Sequence, residues 1–352
     1  MTLPQINLDH FFTLCDDTAV FQHGVHGIPD PKEGYCTDDV ARAIIFLCRY
    51  PSVPAGSRTT EILLRCVSFL NFANLPDGTF HNFLSYDRRW RDKIGSEDSQ
   101  GRGIWAAATA RGAAVLNDAV RGAASEIFQR SAPRIAGFRS PRAFSFAMLG
   151  CAQVPRVDIA QDMLRHGADF LVRLFKDASH PGWQWFESII TYCNGRLPQA
   201  LYAAYSVLNN EEYLDVAERS LRFLVSVMFD RNRLEVPGNR GWLKDGGRKA
   251  AFDQQPVEAG TMVEALCGAF RATGCSEYLE RAGQALAWYH GNNRLGLALI
   301  DPATGACCDA LVPSGLNRNQ GAEAVLSYLL ARYEYDATVS LPAVASFEKP
   351  VA

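Results

Sequence analysis

The chain places acidic side chains at or just before the starts of several helix-like segments. Asp38 and Asp39 stand in GYCTDD, Glu97 and Asp98 in GSEDSQGRG, and Asp253 in DQQPVE. Glu187 in WQWFES, Glu258 shortly after Asp253, and Glu323 in NRNQGAE lie nearby. Two carboxyl groups around one bond perform a defined chemistry. One, protonated, assists a leaving oxygen, and one, ionised, acts as nucleophile or activates water, which is what glycoside hydrolysis requires. Asp39 with Asp98 is the expected catalytic pair, with Glu187 and Asp253 next as acid or base. Each acid also has an ordinary use as a helix N-cap. The set points to a site only if the helix starts converge on one depression.

The same segments carry polar groups of the kind that sugar hydroxyls need: Asp38, Glu97, His23, Tyr35, His81 and Arg102, and further along Asn194, Gln254, Glu258 and Asn319. Trp90, Trp185 and Trp242 offer flat apolar faces for the C–H side of a pyranose. Arg42 and Arg102 follow the acids by a few residues and are expected to neutralise them. His23-x-x-His26 has no third ligand at an established spacing, so no metal is expected. No phosphate-cradling loop, dinucleotide fingerprint or GxSxG elbow occurs, so no cofactor is expected either.

The elements that must position these residues read as helices from end to end, with almost no period-2 alternation. One set is crowded with Ala and Gly: Asp38 to Tyr50, Ser99 to Leu116, Arg142 to Ala152, Gln199 to Leu208, Pro256 to Thr273 and Gln320 to Tyr335. Such helices suit packing on several sides. A second, amphipathic set alternates with it: Thr59 to Phe72, Asn117 to Arg130, Asp158 to Lys176, Glu211 to Phe229 and Glu277 to Gly291, with a short helix near Leu8 to Leu14. Five long, aromatic-rich loops, at 16–37, 74–98, 176–198, 231–255 and 293–319, run into inner helices, while the opposite connections are mostly short. A ring with its long loops at one end has one working face. The prediction is an all-α (α/α)6 toroid forming a single domain over 1–352, with 336–352 a C-terminal tail.

Composition narrows the function. The 352 residues are 48% apolar, enough for a substantial core. With 35 basic and 38 acidic residues spread along the chain, there is no electrostatic footprint for nucleic acid or an anionic membrane. The opening MTLPQINLDHFF has no basic segment followed by an apolar one, so the expected location is cytoplasmic, with the ten cysteines reduced.

The segments FQHGVHGIPDPKEGYCTDDVARA, DGTFHNFLSYDRRW, GSEDSQGRGIWA, DQQPVEAGTM and NQGAEAVLSYL resemble a bacterial family of helical toroids related to six-hairpin glycosidases. Its members stand fused to or beside glycosyltransferases and mannoside phosphorylases. The resemblance runs from about residue 7 to residue 335. It implies the (α/α)6 fold, a carbohydrate context and a glycosyltransferase partner. One departure stands out: the family's TDDN is Thr37-Asp38-Asp39-Val40 here, without the last polar group. The expected function is a glycoside hydrolase acting on a bacterial oligosaccharide or polysaccharide. The alternatives are a non-catalytic carbohydrate-binding or accessory domain, and a sugar epimerase or polysaccharide lyase. An epimerase would call for histidines on the inner helices as proton carriers, and none of the seven falls there.

Overall fold

The computed structural model describes residues 3–50 and 57–341, and within them the two sets of helices wind into a closed double ring. In chain order the helices are α1 (Asp9–Thr13), α2 (Thr37–Arg49), α3 (Arg58–Ala73), α4 (Glu97–Gly112), α5 (Asp118–Ser131) and α6 (Pro141–Cys151). They continue with α7 (Asp158–Ala178), α8 (Arg196–Leu208), α9 (Glu211–Met228), α10 (Pro256–Thr273), α11 (Ser276–Ala287) and α12 (Ala322–Val339). The even-numbered helices form the inner ring. Each packs on the next, and α12 returns to α2 to close it.

Glycine permits that closure. A Cβ on Gly150 of α6 would come within 2.7 Å of the Trp105 Cα of α4, and one on Gly260 of α10 within 2.9 Å of the Ser327 carbonyl of α12. Gly101 and Gly195 meet Ala143 and Thr261 backbone in the same way. The outer helices need only one apolar stripe. In α7 it consists of Ala160, Leu164, Gly167, Ala168, Leu171, Val172 and Phe175, spaced three or four apart with two adjacent pairs.

The inner helices begin at defined places. Ser96 accepts from the Ser99 N–H to start α4, Ser140 accepts from the Ala143 N–H to start α6, and the Cys36 sulfur accepts from the Asp39 N–H to start α2. Pro141 and Pro256 occupy first-turn positions where a missing N–H costs nothing.

The long loops hold more order than their sequences suggested. With the residues just before the fourth loop, they contain strands β1 (Phe21–Val25), β2 (Ile28–Cys36), β3 (Phe83–Leu84), β4 (Ile189–Ile190), β5 (Phe229–Asp230), β6 (Arg233–Leu234), β7 (Leu243–Lys244), β8 (Ala310–Val312) and β9 (Gly315–Asn317). These pair antiparallel as β1–β2–β3, β4–β7, β5–β6 and β8–β9. They lie in the connections between helices, and among the described residues no sheet runs through the centre of the ring. Backbone bridges Val25 to Asn319 and Gln254 to Leu311 tie neighbouring loops together. Period-2 analysis misses these strands because most are two or three residues long.

Residues 336–339, expected in a C-terminal tail, belong to α12 instead. Arg332 pairs with Asp336 at 2.7 Å, and Thr338 accepts from Arg271 of α10 at 2.7 Å, so α12 runs on to Val339. Residues 342–352 lie outside the described residues. Val40, the departure from TDDN, is fully buried within the ring. All ten cysteines are free. Among the described residues no helix is long and apolar enough to cross a membrane.

The packing predicts opposite outcomes for two glycines. Gly150→Ala should destabilise the fold by about 1–3 kcal/mol through overpacking against the α4 backbone. Gly122→Ala, on α5 where an added Cβ meets nothing, should be neutral or stabilising by up to about 1 kcal/mol. Urea unfolding of the two variants checks this, and equal midpoints would contradict the close-contact account.

Candidate active site

The N-terminal ends of the inner helices converge on a cavity of about 520 Å³, within the usual size of a small-molecule site, roughly 300–1,000 Å³. Helix α2 supplies Asp38, Asp39 and Arg42, α4 supplies Asp98 and Arg102, and α12 supplies Glu323. The loops add His23 from β1, Tyr192 and Cys193 before α8, Trp242 and Gln255 before α10, and Asp309 and Asn319 before α12.

Two buried arginines organise the floor. Arg42 reaches Asp39 at 2.7 Å and Glu323 at 2.5 Å, joining α2 to α12. Arg102 reaches Asp38 at 3.1 Å and lies 3.8 Å over the Phe146 ring. Asn82 donates to the other Asp38 oxygen at 3.0 Å. Burial pushes the Asp38 and Asp39 carboxyls above their ordinary value, against the pull of Arg102 on the first and Arg42 on the second. Both guanidinium groups are thus committed to carboxylates of the chain. Asp39 is similarly committed: one oxygen takes Arg42 and the other takes the Cys36 thiol at 3.1 Å.

Asp98 is held by two hydroxyl groups, Tyr192 at 2.8 Å and Ser140 at 3.2 Å. Asp309 differs in kind. Burial first, then the Glu323 charge, push its carboxyl up to about 6, while a hydrogen bond from Asn319 and the nearby His23 pull the other way. Asn319 and the Nδ1 of His23 are 3.0 Å apart.

The cavity brings together Asp38, Asp39, Arg42, Asp98, Arg102, Glu323, His23, Trp242 and Asn319 from the residues singled out in the sequence. The others sit elsewhere, so the expectation that all four catalytic candidates line one cavity needs correcting. Glu187 pairs with Arg142 at 2.8 Å behind the wall. Asp253, in a left-handed conformation at φ 60°, faces Arg240 at 3.5 Å just outside. Glu97 accepts from the Arg139 and Ser140 N–H groups at 2.8 and 2.7 Å, anchoring the start of α6.

Tyr35 is buried and donates to Asp16 at 2.5 Å. His81 stacks on Trp90 with centroids 4.6 Å apart, and Trp90 also packs on Phe69 and Phe72. Trp185 is fully buried against Phe186. Gln254 is buried between Glu235 and Trp288, at 3.3 and 3.2 Å. Asn194 and Glu258 are buried together, 2.6 Å apart. The physical reason is common to these residues: the loops fold on themselves as hairpins, and much of their aromatic and polar content is spent holding them.

Helix-start reasoning missed Asp309 and Tyr192. Asp309 lies inside the small-residue and apolar run Ala306-Cys307-Cys308-Asp309-Ala310-Leu311, and a lone acid in such a run is the signal that could have found it. Among the described residues no group of three or more His, Cys, Asp or Glu side chains forms a metal-binding cluster, and His26 sits in the β1–β2 turn at φ 53°.

No protein-family model and no curated protein matches the sequence. Solved structures do match in shape. A sugar epimerase from a ruminal bacterium superposes with TM-score 0.73 at 11% identity, covering 95% of this chain and 96% of that one. Cellobiose 2-epimerase from Bacillus thermoamylovorans gives 0.73 at 10% identity, covering 95% and 96%. An α-1,6-mannanase from a Salegentibacter species gives 0.60 at 14% identity, covering 94% and 96%. These likenesses identify the fold as the (α/α)6 toroid of six-hairpin glycosidase-like enzymes, a fold shared by glycoside hydrolases, sugar epimerases and a polysaccharide lyase.

Asp309 makes a stability prediction. Its folded value, about 6, lies above the ordinary 3.8. The cost of ionising it in the fold is therefore absent below about pH 4, grows as pH rises through both values, and is complete above about pH 7, reaching up to about 3 kcal/mol. Asp309→Asn should gain stability over the wild type at pH 7.5 and lose that advantage at pH 4. Chemical unfolding at the two pH values measures it, and a pH-independent difference would contradict the assignment.

Proposed function

We propose that this protein is a glycoside hydrolase acting on an oligosaccharide or polysaccharide, with Asp309 as proton donor and Asp98 as the second carboxyl of the pair. The observation that carries the reading is Asp309: a carboxyl that holds its proton toward neutral pH and lines the same cavity as Asp98. A carboxyl whose surroundings favour its protonated form is suited to act as the acid of a carboxyl pair. Asp309 would protonate the glycosidic oxygen as the C–O bond breaks. Asp98, oriented by Tyr192 and Ser140, would attack the anomeric carbon or take a proton from the attacking water. Asp39 drops behind Asp309 as donor because Arg42 and Cys36 occupy both its oxygens.

The cavity walls fit a sugar. Trp242, Phe83 and Tyr192 all line it, the last two 43% and 38% exposed. Their faces suit the C–H side of a pyranose ring, and Gln255, Asn319 and His23 suit its hydroxyls. Trp242 stands at φ 56°, a backbone cost tolerated where a side chain must be aimed.

A sugar epimerase or isomerase is the second reading. His23 favours it, since it reaches the cavity beside Asp309 from β1 although it is on no inner helix. The closer superposition on epimerases than on the mannanase agrees with it. A panel of oligosaccharides in deuterated water separates the readings. Hydrolysis releases new reducing ends, epimerisation exchanges a carbon-bound hydrogen at constant chain length, and binding without turnover supports an accessory domain. The glycosyltransferase partner implied by the sequence resemblance is a separate proposal, tested by co-purification with a glycosyltransferase.

For a hydrolase, Asp98→Asn and Asp309→Asn should each lower kcat by about 10²–10⁴ while sugar binding by calorimetry persists. Trp242→Ala should raise KM with a smaller change in kcat. Near-normal turnover in both carboxyl variants would place the chemistry elsewhere.

A further inference from the structure

We propose that Glu258 is a positioning residue: its buried carboxylate locks the turn Thr191–Asn194, and through that turn holds Tyr192 on Asp98 and Cys193 against Arg102. The proposal rests on the assignment of Asp98 to the reaction. It also accounts for why Glu187, Asn194 and Glu258 surround the cavity without lining it.

Glu258 stands in the first turn of α10 with no solvent exposure. One oxygen accepts from the Cys193 N–H and the other from Asn194 Nδ2 at 2.6 Å. Asn194 closes the turn on itself, accepting from the Thr191 N–H at 3.2 Å and donating to the Thr191 carbonyl at 2.8 Å. The turn needs holding because Cys193 sits at φ 50°, a left-handed conformation that a non-glycine residue keeps only where its surroundings enforce it.

Arg142 of α6 grips the same turn from the opposite side. Its guanidinium donates to the Tyr192 carbonyl at 2.6 Å, to the Thr191 hydroxyl at 2.5 Å and to Glu187 at 2.8 Å, and lies 4.8 Å from the Tyr192 ring centroid. The clamped turn delivers two contacts to the cavity: the Tyr192 hydroxyl on Asp98 at 2.8 Å, and the Cys193 sulfur accepting from Arg102 at 3.4 Å.

The clamp depends on charge. As a carboxylate, Glu258 accepts from two donors. Once protonated it carries a hydrogen into a site whose neighbours both donate, and one hydrogen bond is lost. Burial pushes the Glu258 carboxyl up to about 7, against Arg142 and the two donors. The Cys193 thiol, pushed up to about 11 by burial, stays neutral. Beyond Cys193 lie Arg102 of α4, Arg42 of α2 and Glu323 of α12. The turn is therefore held firmly above about pH 7 and loosens below it.

Two measurements on the full chain test this. Hydrogen exchange followed by mass spectrometry reads protection over residues 187–195, corrected for the intrinsic pH dependence of exchange. In the wild type, protection should rise by about tenfold from pH 6 to pH 8, the size of one charged hydrogen bond. In Glu258→Gln, which keeps the shape and cannot titrate, it should stay low and flat. Equal, pH-independent protection in the two proteins overturns the proposal. On a substrate found in the panel, Glu258→Gln and Tyr192→Phe should each lower kcat about tenfold with KM little changed, and the double variant should be no worse than either single one. Additive losses overturn it, because the two residues would then act separately. If the panel yields no substrate, the hydrolase and epimerase readings fail together and the exchange experiment alone decides for or against the clamp.

Discussion

Backbone-to-backbone contact among the six inner helices is the constraint on which the rest of this structure depends. A ring of six closes only if neighbours approach closely, and glycines at the crossings provide that approach: Gly101 and Gly150 between α4 and α6, Gly195 between α8 and α10, and Gly260 between α10 and α12. Closure aims six helix N-termini at one end of the axis. That end then concentrates positive partial charge from the helix dipoles, and carboxylates placed there are stabilised. The acidic character of the cavity follows from the ring.

The interior has its own requirement. Small side chains at the crossings leave room along the axis, and long arginines fill it. Arg42 and Arg102 lie beneath the cavity, and deeper down Arg196 pairs with Glu264 at 2.5 Å with its guanidinium 5.0 Å from the Trp105 ring centroid. Each buried guanidinium must meet a carboxylate, since an unpaired buried charge costs several kcal/mol. Asp38, Asp39, Glu264 and Glu323 meet that need, leaving Asp98 and Asp309 as cavity acids held by neutral hydrogen bonds. The division between carboxyls that pair with a guanidinium and carboxyls that do not is made by the arginines.

The loops complete the site by folding back as short hairpins and clamped turns. Cys193, Trp242 and Asp253 adopt left-handed conformations in or beside the cavity. Such positions persist where hydrogen bonds on both sides enforce them. Around Cys193 those bonds come from Glu258 and Arg142.

What the sequence alone determined is the part governed by local rules. Helical periodicity placed the twelve α-helices of the described residues, small-residue crowding separated inner from outer, and loop lengths pointed to the end of the ring that holds the cavity. Residues on the first turns of inner helices, Asp38, Asp39, Asp98 and Arg102, were legible because a helix start fixes where its side chains go. Only the tertiary structure decided the loop residues. Glu187, Trp90, Trp185 and His81 share the composition of a binding surface yet are spent on holding hairpins. Asp309, inside an apolar run, reaches the cavity because β8 pairs with β9 and Leu311 bridges to Gln254. The upward shift of the Asp309 carboxyl was likewise outside the reach of spacing, because burial and neighbouring groups from two other segments, one around His23 and one spanning Asn319 and Glu323, set it.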